Sequence, residues 1–168
     1  MVLGIDPGTA ILGYGVVADV AGAYRLIECG VVMTRSDAPL GERLLHLYER
    51  LQDIVERHRP TELAIEKLFF SRNVTSALAV GQARGVAVLA AAQRGLVVVE
   101  YTPAEVKHAI ANHGGATKFQ IQEMVRLLLN LEMVPQPDDA ADAVAVAICH
   151  LNTAQGVGRF ARLAANWP

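Results

Sequence analysis

VLGIDPGT, residues 2–9, is a short apolar run that ends in an aspartate and leads into the turn signal Pro7-Gly8-Thr9. Two further runs rich in Val and Ile follow, Tyr14–Ala18 and Leu26–Met33, separated by the polar segment Asp19–Arg25. Short strands joined by short turns predict an antiparallel meander, with Asp6 at the end of its first strand.

Beyond this meander the periodicity becomes helical. From Gly41 to His58 leucines and isoleucines recur at helical spacing, and Pro60 follows the helix. The run Glu62–Glu66 predicts a fourth strand and Val97–Tyr101 a fifth. The remaining helices are predicted at 74–94, 104–111, 119–130 and 140–152. This order predicts an α/β fold, a mixed five-stranded sheet with helices on both faces.

Length and composition restrict the class of protein. The chain has 168 residues, 52% of them hydrophobic, with 15 basic against 17 acidic side chains. It is too apolar for a disordered protein, and it lacks the ~18-residue apolar run of a membrane span. We expect one domain over residues 1–155, with 156–168 as a tail that frays. Two cysteines are too few for a disulfide scaffold, so we expect reduced thiols and a cytoplasmic location.

Carboxylates stand at the ends of several predicted elements. Asp6 closes the first strand, Glu66 closes the fourth, and Asp139 and Asp142 lie one helical turn apart at the start of the last helix. Acids gathered at one sheet edge repel one another unless cations bind them, and oxygen ligands favour Mg²⁺ or Mn²⁺. Two such ions about 4 Å apart serve phosphodiester hydrolysis. The spacing therefore favours a metal-assisted hydrolase.

Structural explanations remain open for single members of this set. Acids at a helix start cap free N–H groups, and we expect Asp138 to be such a cap. Asp6 also fits a turn aspartate before Pro-Gly. Each of the five histidines lies outside any metal motif, so we expect structural or solvent-facing roles for them.

Several motifs, taken in order, resemble one known family. They are GIDPG at 4–8, GYGV at 13–16, AIE at 64–66 with Phe69, SAL at 76–78, GQARGV at 81–86, Lys107, Lys118 and DAADA at 139–143. The series is similar to that of the RuvC Holliday-junction resolvases over about residues 2–153. It implies a ribonuclease-H-like fold and a homodimeric endonuclease for DNA recombination and repair. Such an enzyme makes paired symmetric nicks in four-way junction DNA, leaving 5′-phosphate and 3′-hydroxyl ends.

The resemblance also assigns roles to residues. The family's four catalytic, metal-binding carboxylates fall on Asp6, Glu66, Asp139 and Asp142, with two Mg²⁺ per site and Mn²⁺ as a substitute. It further implies cooperation with the RuvA and RuvB branch-migration proteins.

DNA contacts are expected from residues around that acidic set. Lys107 and Lys118 flank a Gly-Gly loop and are two of only three lysines, and the resemblance gives them backbone contacts. It favours Phe69 as a ring that stacks on a base at the crossover. We expect Arg72 and Asn73, in the polar loop that follows, to contact the nucleic acid as well.

Other functions fit parts of the sequence. GIDPGT also resembles the phosphate loop of actin-like ATPases, but those proteins need a second such domain. A RuvC-like nuclease acting on RNA and a non-cleaving junction-binding protein remain alternatives. A stripe of small residues on the helix 74–94, at Ala77, Gly81, Gly85 and Ala92, fits either a homodimer contact or core packing.

The net charge of −2 needs a local explanation if the partner is DNA. Setting the four candidate carboxylates aside leaves 13 acidic against 15 basic residues. We therefore expect a basic cleft around the site, and junction binding that weakens steeply with salt.

Overall fold

A computed structural model describes residues 1–67 and 74–165, with side chains described for 1–67 and 77–153. Five strands form one mixed sheet. They are β1 Val2–Asp6, β2 Ile11–Val20, β3 Ala23–Met33, β4 Glu62–Glu66 and β5 Val97–Tyr101. Their order across the sheet is β3-β2-β1-β4-β5.

Strand directions follow the predicted meander. β1, β2 and β3 pair antiparallel, whereas β4 lies parallel to both β1 and β5. Ile5 of β1 is opposite Ile65 of β4, so Asp6 and Glu66 end neighbouring parallel strands at the same edge of the sheet. That edge is where an open α/β sheet places its site.

Helices cover both faces of this sheet, as the sequence predicts. They are α1 Leu40–His58, α2 Val74–Gln93, α3 Pro103–Ala111, α4 Lys118–Leu128 and α5 Asp138–Ala165. The apolar side chains of α1 and α2 pack with Leu3, Ile5 and Ile65 on one face. Those of α3, α4 and α5 pack with Val2 and Ala64 on the other. The strand alternation explains the division, because neighbouring residues point to opposite faces.

The largest differences from the predicted boundaries lie at the β2–β3 hairpin and at the end of the last helix. The hairpin between β2 and β3 turns on Ala21 and Gly22, both with positive φ, so the two strands extend well into the segment taken as a turn. The carboxylate of Asp19 accepts a 2.8 Å hydrogen bond from the Gly22 N–H and fixes that tight turn. The last helix continues to Ala165 instead of ending at 152, so residues 156–165 of the expected tail are helical.

The approach of α5 to the sheet depends on glycines that face it. A Cβ at Gly4 would lie 2.1 Å from the carbonyl oxygen of Ala143, and one at Gly13 would lie 2.0 Å from that of Asp139. Both distances are well inside van der Waals contact, so any larger residue would push the helix away. The glycines around Asp6 therefore bring the first turn of α5 against the end of β1.

Cys149 is buried and Cys29 half-buried, and the fold does not pair them with each other. Among the described residues, no helix is long and apolar enough to span a membrane.

Candidate active site

Asp6 and Glu66 reach the same side of the sheet because of strand periodicity. Gly4 and Asp6 are two residues apart on β1, so Asp6 points toward the face that α5 covers. Ala64 and Glu66 repeat that relation on β4, where Ala64 packs in the core of the same face. Both carboxylates are half-buried at the strand ends.

The helix α5 adds the other two acids. Asp139 and Asp142 lie on its first turns, where the backbone at Asp139 sits against Gly13, the residue paired with Asp6 across the sheet. Both side chains are half-buried. The four carboxylates predicted from the sequence thus come from three elements that meet at one sheet edge.

A cleft opens at this edge between the sheet, α3, α4 and α5. Asp6, Glu66 and Asp142 lie in its wall together with Lys107 and Lys118. The apolar part of the wall is formed by Pro103, Val106, Ile121, Ala145 and Val146. An acidic floor with cationic sides on apolar walls suits a phosphodiester, whose charge both cations and bound metal ions offset.

Lys118 is held at the cleft by two acids. Its Nζ lies 2.9 Å from Oδ2 of Asp142 and 3.1 Å from Oδ2 of Asp138. The hydrogen bond to Asp142 is the main reason that the pKa of Lys118 is raised, so its ammonium stays charged. Lys107, on α3, is close enough to Glu66 to offset part of the rise in the pKa of that carboxyl.

The pKa values of the acids show how crowded the site is. Burial, followed by the charges of Asp142, Glu66 and Asp139, raises the pKa of Asp6 to about 7, and Lys118 opposes this rise only in part. The pKa of Glu66 is also raised, by burial and then by Asp142. The site therefore holds more negative charge than its lysines compensate, as expected of a cation-binding site.

Asp138 differs from its predicted role as a helix cap. Its carboxylate is exposed, accepts a 3.1 Å hydrogen bond from Nε2 of Gln122 and pairs with Lys118. These contacts join the start of α5 to α4, on which Gln122 lies one helical turn after Lys118. Sequence reasoning missed Gln122, and the spacing of four between Lys118 and Gln122 on one helix was the available signal.

Other predicted site residues have different outcomes. Lys107 and Lys118 flank the Gly-Gly loop and both reach the cleft, as expected. Phe69, Arg72 and Asn73 lie outside the described residues. His150 is buried, with its Nδ1 2.8 Å from the Tyr101 hydroxyl and its Nε2 3.1 Å from Glu62, which fits the structural role expected of it.

The type of donor atom in these carboxylates suits divalent cations, whereas the distances between the carboxylates are too long for one ion to be shared by three of them. All four supply hard oxygen donors, and the raised pKa of Asp6 marks a charge that a bound cation would relieve. Among the described residues, however, no three His, Cys, Asp or Glu side chains converge closely enough to hold one ion. Lys118 is paired with Asp142 instead, so its ammonium takes the place of part of that positive charge.

The sheet order and the acidic cleft together are those of a ribonuclease-H-like nuclease domain, as the sequence predicts. The chain matches the family model described as "Crossover junction endodeoxyribonuclease RuvC" over residues 2–150. A protein of that name from Chloroflexus aggregans is 57% identical over 158 residues, which cover 94% of this chain and 96% of the relative.

Solved structures agree with this match. Thermus thermophilus RuvC in complex with Holliday junction substrate superposes with a TM-score of 0.87 at 41% identity, covering 91% of this chain and 93% of that one. The yeast mitochondrial Holliday junction resolvase Ydc2 shares the fold, with a TM-score of 0.62 at 12% identity over 90% of this chain and 78% of its own. The chain belongs to the RuvC family of crossover junction endodeoxyribonucleases.

Proposed function

We propose that this chain is a Holliday junction resolvase, an endonuclease that hydrolyses phosphodiesters in four-way DNA junctions by paired symmetric nicks. The observation that carries the proposal is the convergence of Asp6, Glu66 and Asp142 with Lys107 and Lys118 in one cleft of a ribonuclease-H-like domain. Membership of the RuvC family and the similarity to a junction-bound relative support the choice of substrate.

We assign the metal ligands to Asp6, Glu66, Asp139 and Asp142, and the ions to Mg²⁺, two per site, with Mn²⁺ as a substitute. Bound there, they would lower the pKa of a water molecule and offset charge on the phosphate and the leaving 3′-oxygen. The acidic donors and the raised pKa of Asp6 support this assignment.

The chain's own groups prepare the site for its substrate. Because the pKa of Asp6 is about 7, its carboxyl carries a proton in part of the cation-free molecules near neutral pH. Ionisation of Asp6 and cation binding are therefore coupled. Lys118 is paired with two acids in the free protein, and a DNA phosphate at the cleft would compete for its ammonium.

We propose that the active form is a homodimer joined through α2. Ala83, Ala87 and Ala91 of this helix are buried in the core, whereas Leu78 and Leu89 on the other side are 63% and 52% exposed. Gly85 lies between them, with open space where a Cβ would be. This face lets a second backbone approach closely, and a two-fold dimer matches the symmetry of a four-way junction.

Cellular context follows from the sequence. We propose that the protein acts in the cytoplasm, as the expected reduced thiols Cys29 and Cys149 favour. Cooperation with the RuvA and RuvB branch-migration proteins belongs to this proposal too. Pull-down of each protein on a pre-assembled junction tests that cooperation.

Synthetic junctions with a label on each strand test the proposed function. We expect nicks at symmetric positions in two opposing strands with Mg²⁺ or Mn²⁺, none with chelator, and none with Asp6→Asn. Binding without nicks under every metal would support the non-cleaving alternative. Cleavage of structured RNA in preference to the junction would support the RNA nuclease instead.

A further inference from the structure

Phe119 is a large aromatic side chain that the proposed mechanism leaves unused, and it is the chain neighbour of Lys118, which lines the cleft. It is 71% exposed, directly follows Lys118 and lies in the first turn of α4. Single exposed apolar residues are common on protein surfaces, so its exposure alone decides nothing. The functional interpretation of Phe119 depends on its position relative to Lys118 and Asp138.

Helix geometry places this side chain on a solvent-facing side of α4, next to the side that carries Lys118. Successive residues of an α-helix turn by about 100°. Ile121 and Val125 mark the side of α4 that faces the core, and Lys118 and Gln122 mark the neighbouring side, which contacts the start of α5. Phe119 comes next in the same direction, away from the core and beyond the lysine.

The stability of α4 does not account for an exposed ring in its first turn. The helix start is fixed by a capping box, in which Thr117 accepts from the Gln120 N–H and Gln120 accepts from the Thr117 N–H. Lys118 has a structural partner in Asp138 and Asp142, whereas phenylalanine is a weaker helix former than leucine or glutamate and its exposed ring stabilises no part of the core. Helix stability therefore does not explain Phe119.

We infer that Phe119 stacks on a base of the junction strand next to the phosphate that enters the cleft. The inference rests on the proposed function, because the DNA of a junction presents a phosphate to Lys118 and a base to the neighbouring ring. Bases near a crossover are open to unstacking, and aromatic side chains bind such bases through their faces. Phe119 would be a contact additional to the one expected of Phe69.

Substitutions at Phe119 distinguish stacking by an aromatic ring from contact by any large apolar side chain. With chelator present to prevent cleavage, we expect Phe119→Ala and Phe119→Leu to weaken junction binding about five- to hundredfold, the range measured for loss of one stacked base. Phe119→Trp should stay within about twofold of wild type. Leu127→Ala is the matched control, since Leu127 is 58% exposed on the opposite side of α4 from Lys118.

A base-level readout completes the test. With 2-aminopurine beside the cleaved phosphate, we expect wild-type protein and Phe119→Trp to change its fluorescence on binding and Phe119→Leu to leave it unchanged. If wild type cuts junctions but Phe119→Leu matches it in affinity and fluorescence, the inference is wrong and the proposed function stands. If wild type does not prefer a junction to a duplex, both are wrong.

Discussion

Asp6 is the residue at which function and stability conflict most. Its carboxylate is half-buried among three other acids, which is useful for holding cations and unfavourable without them. A folded-state pKa of about 7, against 3.8 for an unperturbed aspartate, means that folding favours the protonated form. The resulting loss of stability begins as the pH rises above about 4 and is complete above about 7.

The first prediction concerns this cost. In chelator at pH 8, Asp6→Asn should be more stable than wild type by on the order of 2–4 kcal/mol, because the amide carries no charge to desolvate. Near pH 3, below the unfolded value of 3.8, the difference should largely vanish, since Asp6 is then mostly protonated in both states. Urea unfolding at several pH values measures it. A difference that stays constant with pH would mean that this charge is not desolvated in the folded protein.

Lys107 gives the second prediction, through the salt dependence of binding. Losing one phosphate contact should lower the slope of log affinity against log salt by about 1. We therefore expect Lys107→Ala to bind the junction more weakly at low salt and to lose affinity less steeply as salt is added. Arg50→Ala removes the same charge from α1, on the far face of the sheet, and should leave the slope unchanged. Equal slopes for wild type and Lys107→Ala would place this lysine outside the interface.

At the scale of elements, the contact between α5 and the β1–β2 pair builds the site. The first turn of the helix lies against Gly13, and a turn further on the helix lies against Gly4. Asp139 and Asp142 are therefore placed by the absence of two side chains elsewhere in the sequence. Local propensity predicts the helix but contains no information about this approach distance.

The third prediction tests that placement. Gly13→Ala should force α5 away from β2, lowering the free energy of unfolding by about 1–3 kcal/mol as overpacking does, and reducing cleavage strongly with all four carboxylates intact. Gly41→Ala is the control, because a Cβ there meets open space on α1 and should add about 0.5–1 kcal/mol of stability. Unfolding curves and cleavage rates are measured for both. Full activity in Gly13→Ala would mean that the site tolerates a displaced helix.

Much at this scale is predictable from the sequence, and the exceptions have physical causes. β4 and β5 are predicted at their observed bounds because each is a dense apolar run between clear breaks. The β2–β3 hairpin is longer than predicted because one hydrogen bond from Gly22 to Asp19 tightens the turn. The prediction that Asp138 caps the helix was wrong because Lys118 and Gln122, which are distant in sequence, bind its carboxylate.

At the scale of the whole molecule, α2 is a helix with one face in the core and an apolar outer face that stays exposed in the single chain. Its alanine face packs on α1 and the sheet, and Arg84 pairs with Glu100 of β5 to hold it there. Its leucine-bearing outer face has no covering element among the described residues. The small-residue pattern left homodimer and core as alternatives, and the structure gives α2 both a buried face and an exposed one.

The fourth prediction addresses the dimer. Leu89→Arg should dissociate it, because a cation is placed in an apolar contact, while the fold stays intact since Leu89 is already half-exposed. Leu45→Arg makes the same change at a leucine of similar exposure on α1 and should leave the dimer unaffected. Sedimentation velocity distinguishes them. An unchanged mass for Leu89→Arg would exclude α2 as the contact.

The candidate site was predictable in part. Carboxylates at element ends, with the family motifs, predict Asp6, Glu66, Asp139 and Asp142 as its acids, and the fold brings these four residues to one edge of the sheet. The pairing of Lys118 with Asp142 and the raised pKa of Asp6 depend on three-dimensional distances, which no sequence pattern contains.

Cleavage of a supercoiled plasmid that extrudes a cruciform tests the central claim most directly. Two coordinated nicks across the junction convert the circle into linear DNA, whereas independent nicks release open circles. We predict linear product from wild type with Mg²⁺, and neither product from Asp6→Asn. Open circles alone, or an uncut plasmid, would contradict a paired junction resolvase.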